Sequence, residues 1–310
     1  MAEFDVLVVG GVGVDTIVRI PDLEIPSGDH YAVPPILDYV AHSGNGVALG
    51  FHALGLRTKF VDFLGDDAQG AQVLARYAEV GLDFAHLPAP SGTSRSVNLV
   101  DDQGRRFSFY DPRHPADLRL PADFYLPFLT RARHVHVASE RGVGAFADAR
   151  RLGLTTSTDI HAWDGVRSGP LVRAREADLI FLSAAAAPTK IEDLMYTLLD
   201  GGGTEVVVAT EGAAGCRVLT RAERRVRRFP AVVPERPVVD SNGSGDAFST
   251  AFMSRWFAGR PVEECVLAGA VSGAYACGAA GTHEELISAT QLEEAVARAA
   301  ESPQWRAGRR

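Results

Sequence analysis

The chain has 310 residues, enough for one large α/β domain or two small ones. With 46% hydrophobic and 23% charged residues it has the composition of a globular protein, which excludes a mainly disordered chain. A formal charge of -8 argues against a general nucleic-acid binder and allows an anionic ligand only at a locally arranged site. Cys216, Cys265 and Cys277 share no metal-type spacing and cannot all pair, so a reduced, cytoplasmic setting is expected. The start, MAEFDVLVVGG, lacks a basic segment followed by a long apolar one, so no secretory signal is expected there. No apolar run approaches a membrane span.

FDVLVVGG, residues 4–11, reads as a buried strand ended by glycines. Residues 16–44 carry Pro21, Pro26, Pro34 and Pro35 among short alternating stretches, which suits edge strands and turns. Val47, Leu49, Phe51 and Leu54 then mark a helix stopped by Gly55, followed by the strand KFVDFLG and a helix over 68–80 closed by Gly81. SRSVNLVDDQGRRFSFYD alternates with period two around DDQG and predicts a hairpin. Strands and helices then take turns: HVHVAS, a helix over 143–152, LTTSTDI, ADLIFLS, a helix over 191–199, and EVVVATEG. CRVLTRAERRVRRFP predicts a second hairpin, and helices are expected over 246–257, 262–277 and 290–300, with a frayed QWRAGRR tail. This rhythm argues for a mainly parallel sheet covered on both faces. The stretches 16–44 and 93–110 fall outside it and are expected to pair into a small separate sheet.

The segment DSNGSGDAFSTAF, residues 240–252, carries the chemistry. Open parallel sheets bind ligands beyond the carboxyl ends of their strands. The first turn of a helix offers unpaired N–H groups, and with Gly243 and Gly245 no side chain keeps a phosphate away from them. Asp246 is either a helix-capping acid, the commoner role at such a place, or the base that takes the proton from an attacking hydroxyl.

DSNGSGDAFSTAF resembles the C-terminal signature DTxGAGDxF of the ribokinase-like (PfkB) carbohydrate kinases, with Ser244 in place of the usual alanine. GGVGVD, ALGLRTKFVDFLGDDAQG, STDIHAW and TEGAAG match further family segments in the right order, so the resemblance spans nearly the whole chain. It implies a three-layer α/β/α core with a β-sheet lid over residues 1–310 as one kinase domain, the lid being often shared across a homodimer. It also implies ATP and Mg2+ as cofactors and a sugar or sugar-like polyol as acceptor. By the same resemblance Asp246 is the catalytic base, and the backbone of Gly243, Ser244, Gly245 and Asp246 is the anion hole. Asp15 would bind acceptor hydroxyls with help from Asn45, Asp159 and His161. Thr210, Gly212 and Gly215 would line the ATP site, with Ala270 and Gly281 near the adenine. Asp240 and the carbonyl of Asn242 would lie near a monovalent-cation (K+) site where family members have one.

Three departures stand out. Ser183 and Ala186 occupy the place of the family's N-x-x-E, Gly44 and Asn45 are displaced from its GG-x-x-x-N, and His161 replaces the asparagine of D-x-N. A nucleoside kinase is the nearest rival, with Tyr31, Phe109 or Tyr110 as a base platform. VDTIV, VALG and ALGLRT resemble actinomycete kinases of the family, acarbose kinases among them, which keeps an aminocyclitol or oligosaccharide acceptor open. A non-catalytic sugar or nucleotide sensor on the same scaffold is the rival from another class.

Lesser signals have plainer readings. Gly10, Gly11 and Gly13 lack the third glycine of a dinucleotide fingerprint, and the arginines of RAERRVRRF suit a solvated hairpin better than a nucleic-acid patch. His134 and His136 are expected to pack rather than bind metal. Asp66 and Asp67 read as solvated loop acids or holders of magnesium waters, and Trp163 as core, rim or sugar platform.

Overall fold

The computed structural model describes residues 2–24 and 27–307. In chain order come β1 (Phe4–Val9), β2 (Gly13–Ile20), β3 (Leu37–Ala41), α1 (Ser43–Ala53), β4 (Thr58–Leu64), α2 (Ala68–Val80) and β5 (Asp83–Pro88). Next are β6 (Arg95–Asp101), β7 (Arg106–Asp111), α3 (Ala122–Leu129), β8 (Ala132–Val137), α4 (Gly144–Arg151), β9 (Thr155–Asp159) and α5 (Ser168–Ala174). The rest are β10 (Leu179–Ser183), α6 (Ile191–Asp200), β11 (Val206–Thr210), β12 (Cys216–Thr220), β13 (Arg227–Phe229), α7 (Ser244–Phe257), α8 (Val262–Ala276), α9 (Ala289–Ala300) and α10 (Pro303–Ala307).

Nine strands form the main sheet in the order β13-β12-β11-β10-β9-β8-β1-β4-β5, parallel except for the β12 and β13 hairpin. The apolar runs FDVLVV and TKFVDFL are buried on both faces, as the middle of a parallel sheet requires. Strand order reverses at β1, which lies between β4 and β8, so a crevice opens beyond the carboxyl ends of β1 and β8. Gly10 and Gly11 turn the chain out of β1 there with φ of 80° and 90°. One apolar core lies under α1, α2, α7, α8 and α9, and a second under α3, α4 and α6 on the opposite face.

The two segments that broke the strand–helix rhythm do share a sheet. Its order is β3-β2-β6-β7, with β2 parallel to β6 and antiparallel pairs outside. It forms a lid, and the register puts Tyr39, Asp15, Ser96 and Tyr110 in one cross-strand row. The first lid segment is shifted from the expected 16–44. β2 already begins at Gly13, and α1 takes over at Ser43, where Gly44 lies so close to the β1 turn that a Cβ on it would collide with the Gly10 carbonyl. Ile25 and Pro26 of that segment lie outside the described residues.

Four elements were not foreseen. β5 is a half-exposed edge strand, α3 contains Pro127, and α5 and α10 are too short for a clear period. The tail was expected to fray, yet Trp305 is buried with its ring 6.1 Å from Phe229, so packing orders it. The last three residues of that tail lie outside the described residues. Trp163 is a core residue that donates to the Arg167 carbonyl, so it offers no platform to a sugar. Asp67 caps α2 through Gly70 N and accepts from Thr93, which commits it to structure. Arg217, Arg224, Arg227 and Arg228 of the second hairpin pair with Glu192, Glu211, Glu223, Glu263 and Asp200.

His134 and His136 are fully buried on β8 and share the Ser157 hydroxyl at 2.7 and 2.8 Å. Thr155 Oγ1 lies 2.8 Å from His134 Nδ1. Burial pushes His134 well below the ordinary histidine value, helped by His136. Burial likewise pushes His136 down to about 3, against the pull of Asp246. Folded-state pKa values depressed below the unfolded ~6.5 mean that the unfolded chain binds more protons between these values. The stability these rings contribute is therefore present above pH ~6.5 and lost as pH falls, on the order of 1.4 kcal/mol per unit for each ring. Urea melts from pH 7 to 5 are expected to show a shallower acid loss in His134→Gln than in the wild type; equal slopes overturn this.

Candidate active site

α7 builds the site. It is buried nearly all round from Ala247 to Met253, held between α1 and α8. Small residues permit that fit: a Cβ on Gly50 would stand 2.7 Å from Thr250 Oγ1, and one on Gly269 3.0 Å from Phe248. The helix enters from Gly243, which caps it in the left-handed region at φ 74°. Ser244 N leans on the Ser241 carbonyl at 3.3 Å, while the amides of Gly243, Gly245 and Asp246 have no protein acceptor among the described residues. Space around Gly245 is open. Three unpaired donors at the positive end of a buried helix make an anion-binding mouth.

Asp246 stands in that first turn with its side chain 14% exposed. Its Oδ2 lies 2.9 Å from His283 Nε2, and among the described residues Oδ1 has no protein partner. His283 Nδ1 lies 3.0 Å from Asn45 Nδ2, which also donates to the Val40 carbonyl at 3.1 Å, while the Tyr77 hydroxyl donates to Asn45 Oδ1 at 2.8 Å. Asn45 is fully buried, so it has no face for an acceptor and serves His283 instead. That corrects its expected role as a substrate contact. Neither His283 nor Tyr77 was singled out from the sequence, because no local pattern marks a residue that meets Asp246 only through the fold.

The lid holds Asp15, which is buried on β2. Asn98 Nδ2 donates to its Oδ2 at 2.7 Å; His42 Nε2 stands 3.3 Å from Oδ1, off line for a hydrogen bond, so Oδ1 is a buried acceptor without a donor. Burial raises the Asp15 pKa, but His42, Asn98 and Ser96 outweigh it and hold the carboxyl below the ordinary range. Asp159 ends β9 and accepts from His161 N at 2.6 Å. Burial raises its pKa above the ordinary value; His161 opposes this and the charge of Asp246 adds to it. The structure thus brings Asp159 within electrostatic reach of Asp246. His161 sits at φ 55° with its ring Nδ1 3.7 Å from Asp159.

The Asp240–Asn242 segment, just before α7, differs from the expectation of a cation site. Arg19 Nη2 of the lid pairs with Asp240 Oδ2 at 2.8 Å, Asn242 N donates to Oδ1 at 3.0 Å, and Arg106 of the lid donates to Asn242 Oδ1. A guanidinium already neutralises Asp240, so these side chains do not fit a further monovalent cation.

Thr210, Gly212 and Gly215 form the turn after β11, where Glu211 N donates to the Gly215 carbonyl at 2.8 Å. Ala270 is half-buried on α8. Gly281 is not in that turn: at φ 104° it faces the lid, where a Cβ would meet Tyr39 at 2.7 Å. A cavity of ≈ 400 Å³ beside Ala270 is lined by Val232, Arg236, Val271, Ala274 and Tyr275 among others. Ser183 Oγ accepts from Ala185 N at 3.3 Å, so only a local turn stands where N-x-x-E was sought. No three His, Cys, Asp or Glu side chains converge as a metal cage among the described residues. A Mg2+ carried on nucleotide phosphates fits this donor set, with Asp159 and Asp246 as the nearby acids.

Residues 171–289 match the pfkB family carbohydrate kinases. The chain is 47% identical over 290 residues to the acarbose 7(IV)-phosphotransferase of Actinoplanes sp., covering 93% of this chain and 97% of that protein. It is 26% identical over 248 residues to the fructoselysine 6-kinase of Escherichia coli, covering 77% and 91%. Among solved structures, a microbiome-derived acarbose kinase superposes with a TM-score of 0.88 at 42% identity over 95% of this chain and 99% of that one. Ribokinase from Thermotoga maritima superposes at 0.76 with 17% identity over 95% and 99%, which shows the shared fold. With 47% identity over nearly the whole of both chains, the conclusion is direct: the chain is a member of the pfkB family of carbohydrate kinases.

Proposed function

We propose that this sugar kinase moves the terminal phosphoryl group of ATP to a hydroxyl of acarbose or a related pseudo-oligosaccharide. One observation carries the mechanism: Asp246 has Oδ2 held by His283 and Oδ1 free, beside unpaired amides that suit a phosphate. Asp15 Oδ1, a buried acceptor without a donor, takes an acceptor hydroxyl, with Asp159 and His161 as the further acceptor contacts. Asp246 Oδ1 orients the attacking hydroxyl and receives its proton late, since a loose phosphoryl transition state needs positioning more than a strong base. The Gly243–Asp246 amides hold the charge of the moving group. Mg2+ on the phosphates supplies charge neutralisation when bound. The nucleotide lies over Thr210, Gly212 and Gly215, with its base toward Ala270 and the cavity beside it.

The choice of acceptor is supported by the two acarbose-acting relatives, which match over nearly their whole lengths. A nucleoside acceptor has less support, because the register turns Phe109, one of the expected base platforms, to the outer face of the lid. We take residues 1–310 as one kinase domain with its lid, cytoplasmic in keeping with three free thiols. A second copy of the chain covers the outer lid face, where Phe107 and Phe109 are more than half exposed.

Asp246→Asn is expected to lower kcat by about a thousandfold or more with ATP binding by calorimetry intact. ADP release is expected with acarbose and not with ribose or inosine; acarbose binding without ADP release would make the protein a sensor. Because Arg19 neutralises Asp240, exchanging K+ for tetramethylammonium is expected to leave the wild-type rate and melting temperature unchanged, whereas Arg19→Gln gains a melting shift from K+. A tenfold wild-type loss in tetramethylammonium overturns that. Phe109→Asp is expected to yield monomers by sedimentation; an unchanged sedimentation coefficient removes the lid dimer.

A further inference from the structure

We propose that His283 is the positioning residue of the catalytic base, held in one tautomer by a buried chain through Asn45 and Tyr77. This rests on the reading of Asp246 as the base. The Val40 carbonyl can only accept, so the Asn45 group facing it at 3.1 Å is the amide Nδ2. The same Nδ2 faces His283 Nδ1 at 3.0 Å, so Nδ1 accepts and the ring proton sits on Nε2. Nε2–H therefore donates to Asp246 Oδ2 across 2.9 Å. Tyr77 fixes the other end by donating to Asn45 Oδ1 at 2.8 Å. Burial, with Asp62 adding, pushes the Tyr77 phenol well above its ordinary pKa, so it remains a donor. Every polar atom of Asn45 is satisfied in this one orientation.

Steric evidence points the same way. The His283 ring is wedged between two glycines on separate elements, Gly46 of α1 and Gly243 at the mouth of α7. A Cβ on Gly46 would collide with His283 Nε2 and stand 2.7 Å from Asp246 Oδ2; one on Gly243 would stand 2.7 Å from His283 Cδ2. The glycine that opens the anion mouth thus also admits the imidazole. The ring fixes rotation of the carboxylate, leaving Oδ1 for the acceptor hydroxyl. Because it donates as a neutral group, it does so without setting a full positive charge against the base. His283 touches no reacting atom; it acts through Asp246.

The test compares His283→Ala, His283→Gln and Asp246→Asn, with ring 15N NMR of the wild type. Glutamine places an N–H donor near the position of Nε2. His283→Ala is expected to lower kcat ten- to hundredfold at unchanged KM for ATP, in the range found when the hydrogen-bond support of a functional group is lost. His283→Gln is expected to recover kcat to within about threefold of wild type. The wild-type His283 ring is expected to show the Nε2–H tautomer, and Asn45→Asp, which can accept from Nδ1, to change it. Wild-type kcat in His283→Ala, or an Nδ1–H tautomer in the wild type, overturns the proposal while Asp246→Asn remains inactive. An active Asp246→Asn instead removes the reading of Asp246 as the base. If His283→Ala does not fold, the glutamine variant and the wild-type tautomer still decide.

Discussion

The molecule is organised around a helix that begins with its donors unpaired. α7 is held between α1 and α8 and is buried from Ala247 to Met253, while its first turn, with Gly245 exposed, stays open. Unpaired amides in a partly buried place are costly unless something negative meets them. The chain fills the mouth with glycine and serine, leaving room for a phosphate, and sets one carboxylate at its rim. An acid there would repel the same phosphate, so its rotation has to be controlled. The contact with His283 does this by occupying Oδ2.

Charge in the lid follows a related logic. Arg19 and Arg106 on the inner face of the small sheet reach Asp240 and Asn242, just before the glycine turn. They tie the small sheet to the segment that leads into α7, so the position of that sheet and of the glycine turn are mechanically joined. Asp15 lies in the same layer and keeps one oxygen without a donor. The small sheet thus carries both a buried unpaired carboxylate oxygen and two guanidinium groups for the segment beneath it.

The departures from the family pattern have structural counterparts. Where N-x-x-E was sought, Ser183 caps a short turn of alanines, and no acid takes its place there. Asp159 instead lies close enough to Asp246 for their charges to interact. Asn45, displaced from the place of the usual asparagine, is buried and bonds to His283.

Strand and helix succession was legible in the chain because buried parallel strands read as short β-branched runs and glycines punctuate them, as in FDVLVVGG and EVVVATEG. The glycine turn and Asp246 were legible for the same local reason: five neighbouring residues carry the whole device. β5, α3, α5 and the Trp305 helix were not, since each owes its form to what it packs on rather than to its own period. Likewise the sequence placed Asn45, Tyr77, His283 and Asp246 far apart and gave none of them a motif in common. Only the folded chain closes 238 residues between Asn45 and His283 to a single hydrogen bond, because orientation of a side chain is decided by partners that meet through tertiary packing.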